Sequence, residues 1–232
     1  MATTVIFAGG FPRTGTTLLL ELLRTDRRVQ SSSQYSYEGH YLSWLDQSRQ
    51  YLTEKRRQVS DAHGWFFEDL TTLVEQYAVN TVLNCRIYAE KWFIHSGNPP
   101  YGLLPRDTVP YTVVVQRKFV DHFRSACNWP DLQNFGIVET VQQYRRSVEA
   151  WLNGVKLVNV LLLQYDDLVA GRLGSLSPLG LNLDHSLAVE RSQQYRDRHQ
   201  SAKTRQLTDN EIRYLEDFER EFSWDVWLKR FD

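Results

Sequence analysis

Gly9-Gly10-Phe11-Pro12-Arg13-Thr14-Gly15-Thr16-Thr17 is the stretch of this 232-residue chain best suited to hold an anion. Glycines between a β-branched run and a Leu-rich segment let the backbone curl with its N–H groups pointing inward. A helix starting there adds partial positive charge, and together they can cradle a phosphate. The spacing Gly10-x4-Gly15 is that of a nucleotide-binding phosphate loop, but Thr16 stands where its lysine belongs. The cation has moved upstream to Arg13, whose permanently charged fork suits tetrahedral oxyanions. A nucleoside triphosphatase would keep the lysine and place a Ser or Thr on Mg²⁺, so that chemistry is disfavoured.

A second group of residues fits the first. Val113-Val114-Val115-Gln116 reads as a strand ending in Arg117, and Ser125 follows eight positions later on a predicted helix. That separation lets both side chains converge on one oxyanion. Side chains that could serve as a general base are Glu38, His40, His95 and His122. Tyr35, Tyr37, Tyr41, Trp44, Trp65, Phe66 and Phe67 could line an acceptor pocket, although aromatic side chains more often fill cores.

The elements that must position these residues alternate. Strands are expected at Thr3–Ala8, Arg86–Glu90, Tyr111–Gln116 and Val158–Gln164, as short apolar runs of the kind buried in parallel sheets. Helices are expected at Thr16–Leu23, near Glu38–Lys55, within Asp61–Asn84, and at Val120–Asn128 and Val138–Lys156. A last helix is opened by Thr208 with Glu211 as a capping box, burying Ile212, Leu215, Phe218 and Phe222. His95–Pro110, dense in Gly and Pro, is a loop. Strand, glycine turn and helix in repeated order specify an α/β fold: three layers around a central parallel sheet. Without repeats or linkers, residues 1–232 read as one domain.

FPRTGTT resembles the phosphosulfate-binding loop of the sulfotransferase family, commonly P-(K/R)-(S/T)-G-T-T after a first strand. The resemblance implies a sulfotransferase-like variant of the P-loop NTP hydrolase-like fold. It also implies 3′-phosphoadenosine 5′-phosphosulfate (PAPS) as donor, 3′-phosphoadenosine 5′-phosphate (PAP) as product, and no metal. It would place Pro12, Arg13, Thr14, Gly15, Thr16 and Thr17 around the phosphosulfate, and Arg117 and Ser125 on the 3′-phosphate. The family runs Arg-Asp-Pro after the second strand, where this chain has Arg117-Lys118-Phe119. VLLLQYDDL is similar to the family's strand followed by Tyr-Glu-Asp-Leu, which would put Tyr165 near the adenine and make Asp166 or Asp167 structural. Ala89-Glu90-Lys91 resembles its Glu/Asp-Lys-Thr-Pro segment, making Lys91 a catalytic candidate, although Trp92 replaces the Thr. Arg196, Arg198, Lys203 and Arg205 are candidates for the basic C-terminal contact many members use. The implied reaction moves a sulfuryl group to a hydroxyl of a small-molecule or glycoside acceptor, with Glu38, placed where some members carry a catalytic Glu, as first choice of base and His40 as second. A P-loop small-molecule kinase and a non-catalytic nucleotide-binding module are the alternatives.

Composition bounds these readings. Lys and Arg number 27 against 28 Asp and Glu, for a net charge of -1, which argues against a nonspecific nucleic-acid binder. Of the basic residues 21 are Arg, the better bidentate oxyanion binder. The hydrophobic fraction of 42% is ample for a core. Two cysteines, Cys85 and Cys127, make no disulfide framework or zinc spacing. The N-terminus lacks a signal-peptide pattern, and no apolar run has the roughly 20 residues of a membrane span. A cytoplasmic protein without membrane or nucleic-acid partners is the resulting expectation. Oligomeric state leaves no mark in the sequence.

Overall fold

The computed structural model describes residues 3–11, 13–31, 42, 85–93, 101, 104–126, 136–154, 159–200 and 206–222. Its sheet has five strands: β1 (Thr4–Gly10), β2 (Val29–Gln30), β3 (Ile87–Phe93), β4 (Val109–Gln116) and β5 (Val160–Gln164). Their order is β2-β3-β1-β4-β5, and every pairing is parallel. The helices are α1 (Thr16–Leu23), α2 (Phe119–Ala126), α3 (Ile137–Gly154), α4 (Tyr165–Val169), α5 (His185–Gln200) and α6 (Asp209–Glu221), with a 3₁₀ turn at Gly174–Leu179.

The alternation of strand side chains divides the core in two. Val5, Phe7, Tyr88, Trp92 and Val114 pack with Phe119 and Phe123 of α2, Tyr144 of α3 and Leu215 and Phe218 of α6. Ile6, Ala8, Ala89, Val113 and Val115 pack with the leucines of α1, Leu168 of α4 and Ala188 of α5. The expected three-layer α/β architecture is therefore what forms, because strands covered on both faces must be apolar on both. Gly9 is part of that packing: a Cβ there would lie 2.7 Å from the Trp92 ring across the β1–β3 register.

This connectivity fixes where a ligand can bind. The chain leaves β1 into α1 on one face of the sheet and leaves the neighbouring β4 into α2 on the other. The carboxyl ends of β1 and β4 thus form a topological switch point, the crevice where open parallel sheets bind ligands. The phosphate loop and Arg117 both lie at that crevice.

Several local outcomes differ from the expectation, among them β1, which runs on to Gly10, and β4, which starts at Val109 inside the expected His95–Pro110 loop. The strand expected at Arg86–Glu90 runs to Phe93, because pairing with β1 continues through Gly9 and Gly10. Lys91 is consequently a strand residue. Val29–Gln30, expected as loop, is a two-residue edge strand paired with Ile87 and Tyr88. Helix α5 has no sequence signal: among its described side chains only Ala188 and Ser192 are buried, so no apolar period marks it. Elsewhere the ends of α2 and α3 fall within two residues of their expected places. Apart from Leu42, the helices expected at 38–55 and 61–84 lie outside the described residues.

A buried carboxylate ties the turn after α1 to the segment before α5. Asp26 accepts from the Arg28 backbone N–H at 2.9 Å, the Arg28 guanidinium at 2.5 Å and the Asn182 N–H at 2.8 Å. Arg28 also donates to the Gly180 carbonyl at 2.8 Å. The Arg28 hydrogen bond, outweighing burial, holds the Asp26 carboxyl well below the ordinary carboxylate range. Because the folded value lies below the unfolded one, this stabilisation is present above about 3.8 and is lost as pH falls below it. We predict that Asp26→Ala costs about 1–3 kcal/mol in urea unfolding, since it strands the Asn182 N–H. Asp26→Asn should flatten the acid limb of the stability profile; an unchanged limb would contradict the assignment.

Candidate functional site

The loop after β1 is built by two residues with positive φ. Arg13 adopts φ 74° and Gly15 φ 106°. For arginine this conformation is sparsely populated, and such strain persists where surrounding contacts enforce it. Thr14 supplies part of that enforcement: its hydroxyl donates to the Phe11 carbonyl at 2.8 Å and its N–H to the same oxygen at 3.2 Å. Gly15 is required on two grounds. Its φ favours glycine, and a Cβ would lie 2.9 Å from the Tyr165 ring.

Helix α1 begins at once. Gly15 is its N-cap, with no side-chain cap hydrogen bond and no acid in the first turn. The first-turn N–H groups and the positive end of the helix dipole are therefore left for an anion. Thr14 and Thr16 are buried, fixing the loop from beneath.

Arg117 enters from β4. Its guanidinium donates to the Arg13 carbonyl at 3.0 Å and lies 4.3 Å from the Tyr165 ring centroid, a cation–π contact. Its Nε is buried without a hydrogen-bond partner. Ser125, on α2, accepts from Arg13 Nε at 3.3 Å. The expected meeting of Arg117 and Ser125 is thus organised around Arg13, one touching its carbonyl and the other its side chain. Tyr165, read as an adenine neighbour, closes the cluster from the start of α4.

Lys91 completes the cationic set. Its place on β3 turns it toward α1, where Nζ donates to Thr17 Oγ1 at 2.9 Å. It is 2% exposed. Burial first, then the charge of Arg13, pushes its ammonium down to about 8, with Glu21 acting in the opposite sense. Thr17 holds the position at which a phosphate loop offers its hydroxyl to Mg²⁺. Here that oxygen faces an ammonium.

Two acids were missed by sequence reading. Glu21 follows Thr17 by one helical turn, which is the signal that could have placed it near Lys91. Glu90 alternates with Lys91 and so faces the other layer. Fully buried, it accepts from the Leu42 N–H at 2.7 Å and the Tyr88 hydroxyl at 3.1 Å. His122, a lesser base candidate, is buried with its ring centroid 6.2 Å from those of Phe11 and Phe119 and 6.4 Å from that of Tyr144. Asp167 forms an exposed ion pair with Arg172 at 2.7 Å.

Pro12, Glu38, His40 and His95 lie outside the described residues, as do Lys203 and Arg205. Arg196 and Arg198 fall within α5, with side chains outside the described set. Among the described residues no group of three or more His, Cys, Asp or Glu is placed to hold a metal ion. No described helix is long and apolar enough to cross a membrane.

The low folded value of Lys91 has a definite sign. Between about 8 and 10.5 the unfolded chain binds this proton and the folded chain does not, so unliganded stability rises with pH there. An anion beside Lys91 restores the ammonium, so anion binding should take up a proton in that window and weaken as pH rises. We predict that Lys91→Met raises the unliganded melting temperature at pH 7 and removes this slope. Scanning calorimetry across the window checks it; an unchanged slope would contradict the burial argument.

No family model matches the sequence, and neither does any curated protein. Among solved structures, the chain is similar to a sulfotransferase domain from the curacin biosynthetic pathway. The match has 15% identity and a TM-score of 0.44, over 80% of this chain and 76% of that one.

Proposed function

We propose that this protein transfers a sulfuryl group from PAPS to a hydroxyl of a small-molecule or glycoside acceptor, by in-line displacement without a metal. The observation that carries the proposal is a convergence. Two signals distant in sequence, the glycine loop and the strand-end arginine, meet at the Arg13 carbonyl in the switch-point crevice. Two cations, Arg13 and Arg117, and an uncapped helix start suit a nucleotide with phosphates at two positions. The buried Arg117 Nε without a partner supports that fit, since an acceptor there would satisfy it. The Lys91–Thr17 contact favours sulfuryl over Mg²⁺-dependent phosphoryl transfer, because the ammonium occupies the approach a dication would need.

PAPS supplies the sulfuryl group and its 5′-phosphate oxygen is the leaving group. In this reading the N–H groups of Gly15, Thr16 and Thr17 hold the phosphosulfate end. Arg13 and Lys91 offset the charge that grows on the leaving oxygen, as fixed cations do in a site closed to water. Arg117 and Ser125 hold the 3′-phosphate, with Tyr165 on the adenine side. Glu38, with His40 in reserve, takes the acceptor proton as the new S–O bond forms.

Transfer of labelled sulfate from PAPS to a panel of phenolic, glycosidic and natural-product hydroxyls, in the presence of EDTA, tests the proposal. Turnover is expected for the wild type and should vanish in Arg13→Ala. Arg117→Ala should weaken PAP binding by about 2–5 kcal/mol, the cost of losing one partner of a desolvated charge pair. Binding of ATP with Mg²⁺ in preference to PAP would overturn the reading.

A further inference from the structure

Helix α2 starts two residues after Arg117 and carries Ser125, so whatever fixes its first turn also fixes both residues. Its first intrahelical bond runs from the His122 N–H to the Lys118 carbonyl at 2.8 Å, which makes Lys118 the N-cap and Phe119 the first helical residue. Neither residue suits its place. A lysine side chain has donors only and cannot cap a helix start. Phenylalanine keeps a backbone N–H that needs an acceptor, whereas proline has none. An Asp-Pro pair would have met both needs locally. Lys118-Phe119 meets neither.

The missing acceptor comes from α6. Glu219 Oε2 accepts from the Phe119 N–H at 3.3 Å, across 100 residues of sequence. Burial, with Asp121 and Glu216 adding to it, raises the Glu219 carboxyl above the ordinary carboxylate value, while the Phe119 N–H and the charge of Lys118 pull it back down. The carboxylate sits at the positive end of α2. Around this contact, Phe218 meets the Phe119 ring edge-on at 4.9 Å and stacks on Phe222 at 4.6 Å. Helix α6 is fixed by its own capping box at Thr208 and Glu211.

We infer that Glu219 is a positioning residue for the anion site: it caps α2 from a distant helix, where Lys118-Phe119 supplies no local cap. The C-terminal helix is thereby coupled to Arg117 and Ser125 without touching the ligand. This role rests on the proposed binding of PAP, but the cap itself can be tested without it.

Two readouts on the intact protein make the test: PAP affinity by titration calorimetry, and hydrogen exchange of the first-turn amides of α2 in the unliganded state. Glu219→Ala should lower PAP affinity on the order of five- to tenfold and speed exchange at Phe119. Glu219→Gln, whose amide oxygen still accepts, should lose much less. Adding Lys118→Asp to Glu219→Ala should restore affinity by supplying a local cap; Phe119 stays, because its ring is core. Thr208→Ala, which loosens α6 but keeps the carboxylate, is the control for general destabilisation. Wild-type affinity in Glu219→Ala, or a folded Lys118→Asp/Glu219→Ala protein with no recovery, would overturn the inference. If the wild type binds no PAP, the functional reading fails and exchange alone decides. Faster exchange at Phe119 in Glu219→Ala than in Thr208→Ala supports the cap, and equal rates overturn it.

Discussion

The contact between the Arg117 guanidinium and the Arg13 carbonyl is the constraint on which the rest of the site depends. Arg13 is held at positive φ, and in that conformation its carbonyl accepts from Arg117, after β4, and its Nε donates to Ser125 on α2. The Arg117 guanidinium also lies over the Tyr165 ring, 4.3 Å from its centroid, and that ring leaves no room for a Cβ at residue 15. Three chain segments that follow β1, β4 and β5 are therefore locked by one carbonyl, one guanidinium and one ring. Loss of any of the three would release the others.

The same geometry concentrates positive charge. Arg13, Arg117 and Lys91 line one crevice in a chain whose net charge is -1. Local field, not overall charge, decides what binds there. Lys91 registers the cost: buried beside Arg13, it holds its proton less firmly than a free lysine. On the proposed function, a bound anion relieves this repulsion. At the start of α2 the Phe119 N–H is already taken by Glu219, whereas α1 begins without a side-chain cap.

Much of this was legible in the sequence, for physical reasons. Strands buried on both faces must be apolar throughout, so β1, β4 and β5 announce themselves. The glycine loop is legible because positive φ and close approach restrict residue 15 to glycine. Arg117 and Ser125 were legible as a pair, but not that Arg13 would stand between them, since that depends on a backbone conformation. The hidden parts are those set by tertiary contact. Strand β2 is too short to carry a pattern. The described side chains of helix α5 bury too little to show a period. The facing of Lys91 toward Thr17 required the true end of β3. Glu219 was invisible because its partner is a backbone N–H; the only mark was a lysine where a cap belongs.

The central claim is that the crevice holds two phosphate positions of one nucleotide through separate cations. Its most direct test compares PAP with 5′-AMP and 3′-AMP by titration calorimetry in EDTA. PAP should bind at least about tenfold more tightly than either monophosphate, each of which engages one cation only. Equal affinity for all three would contradict the two-point site.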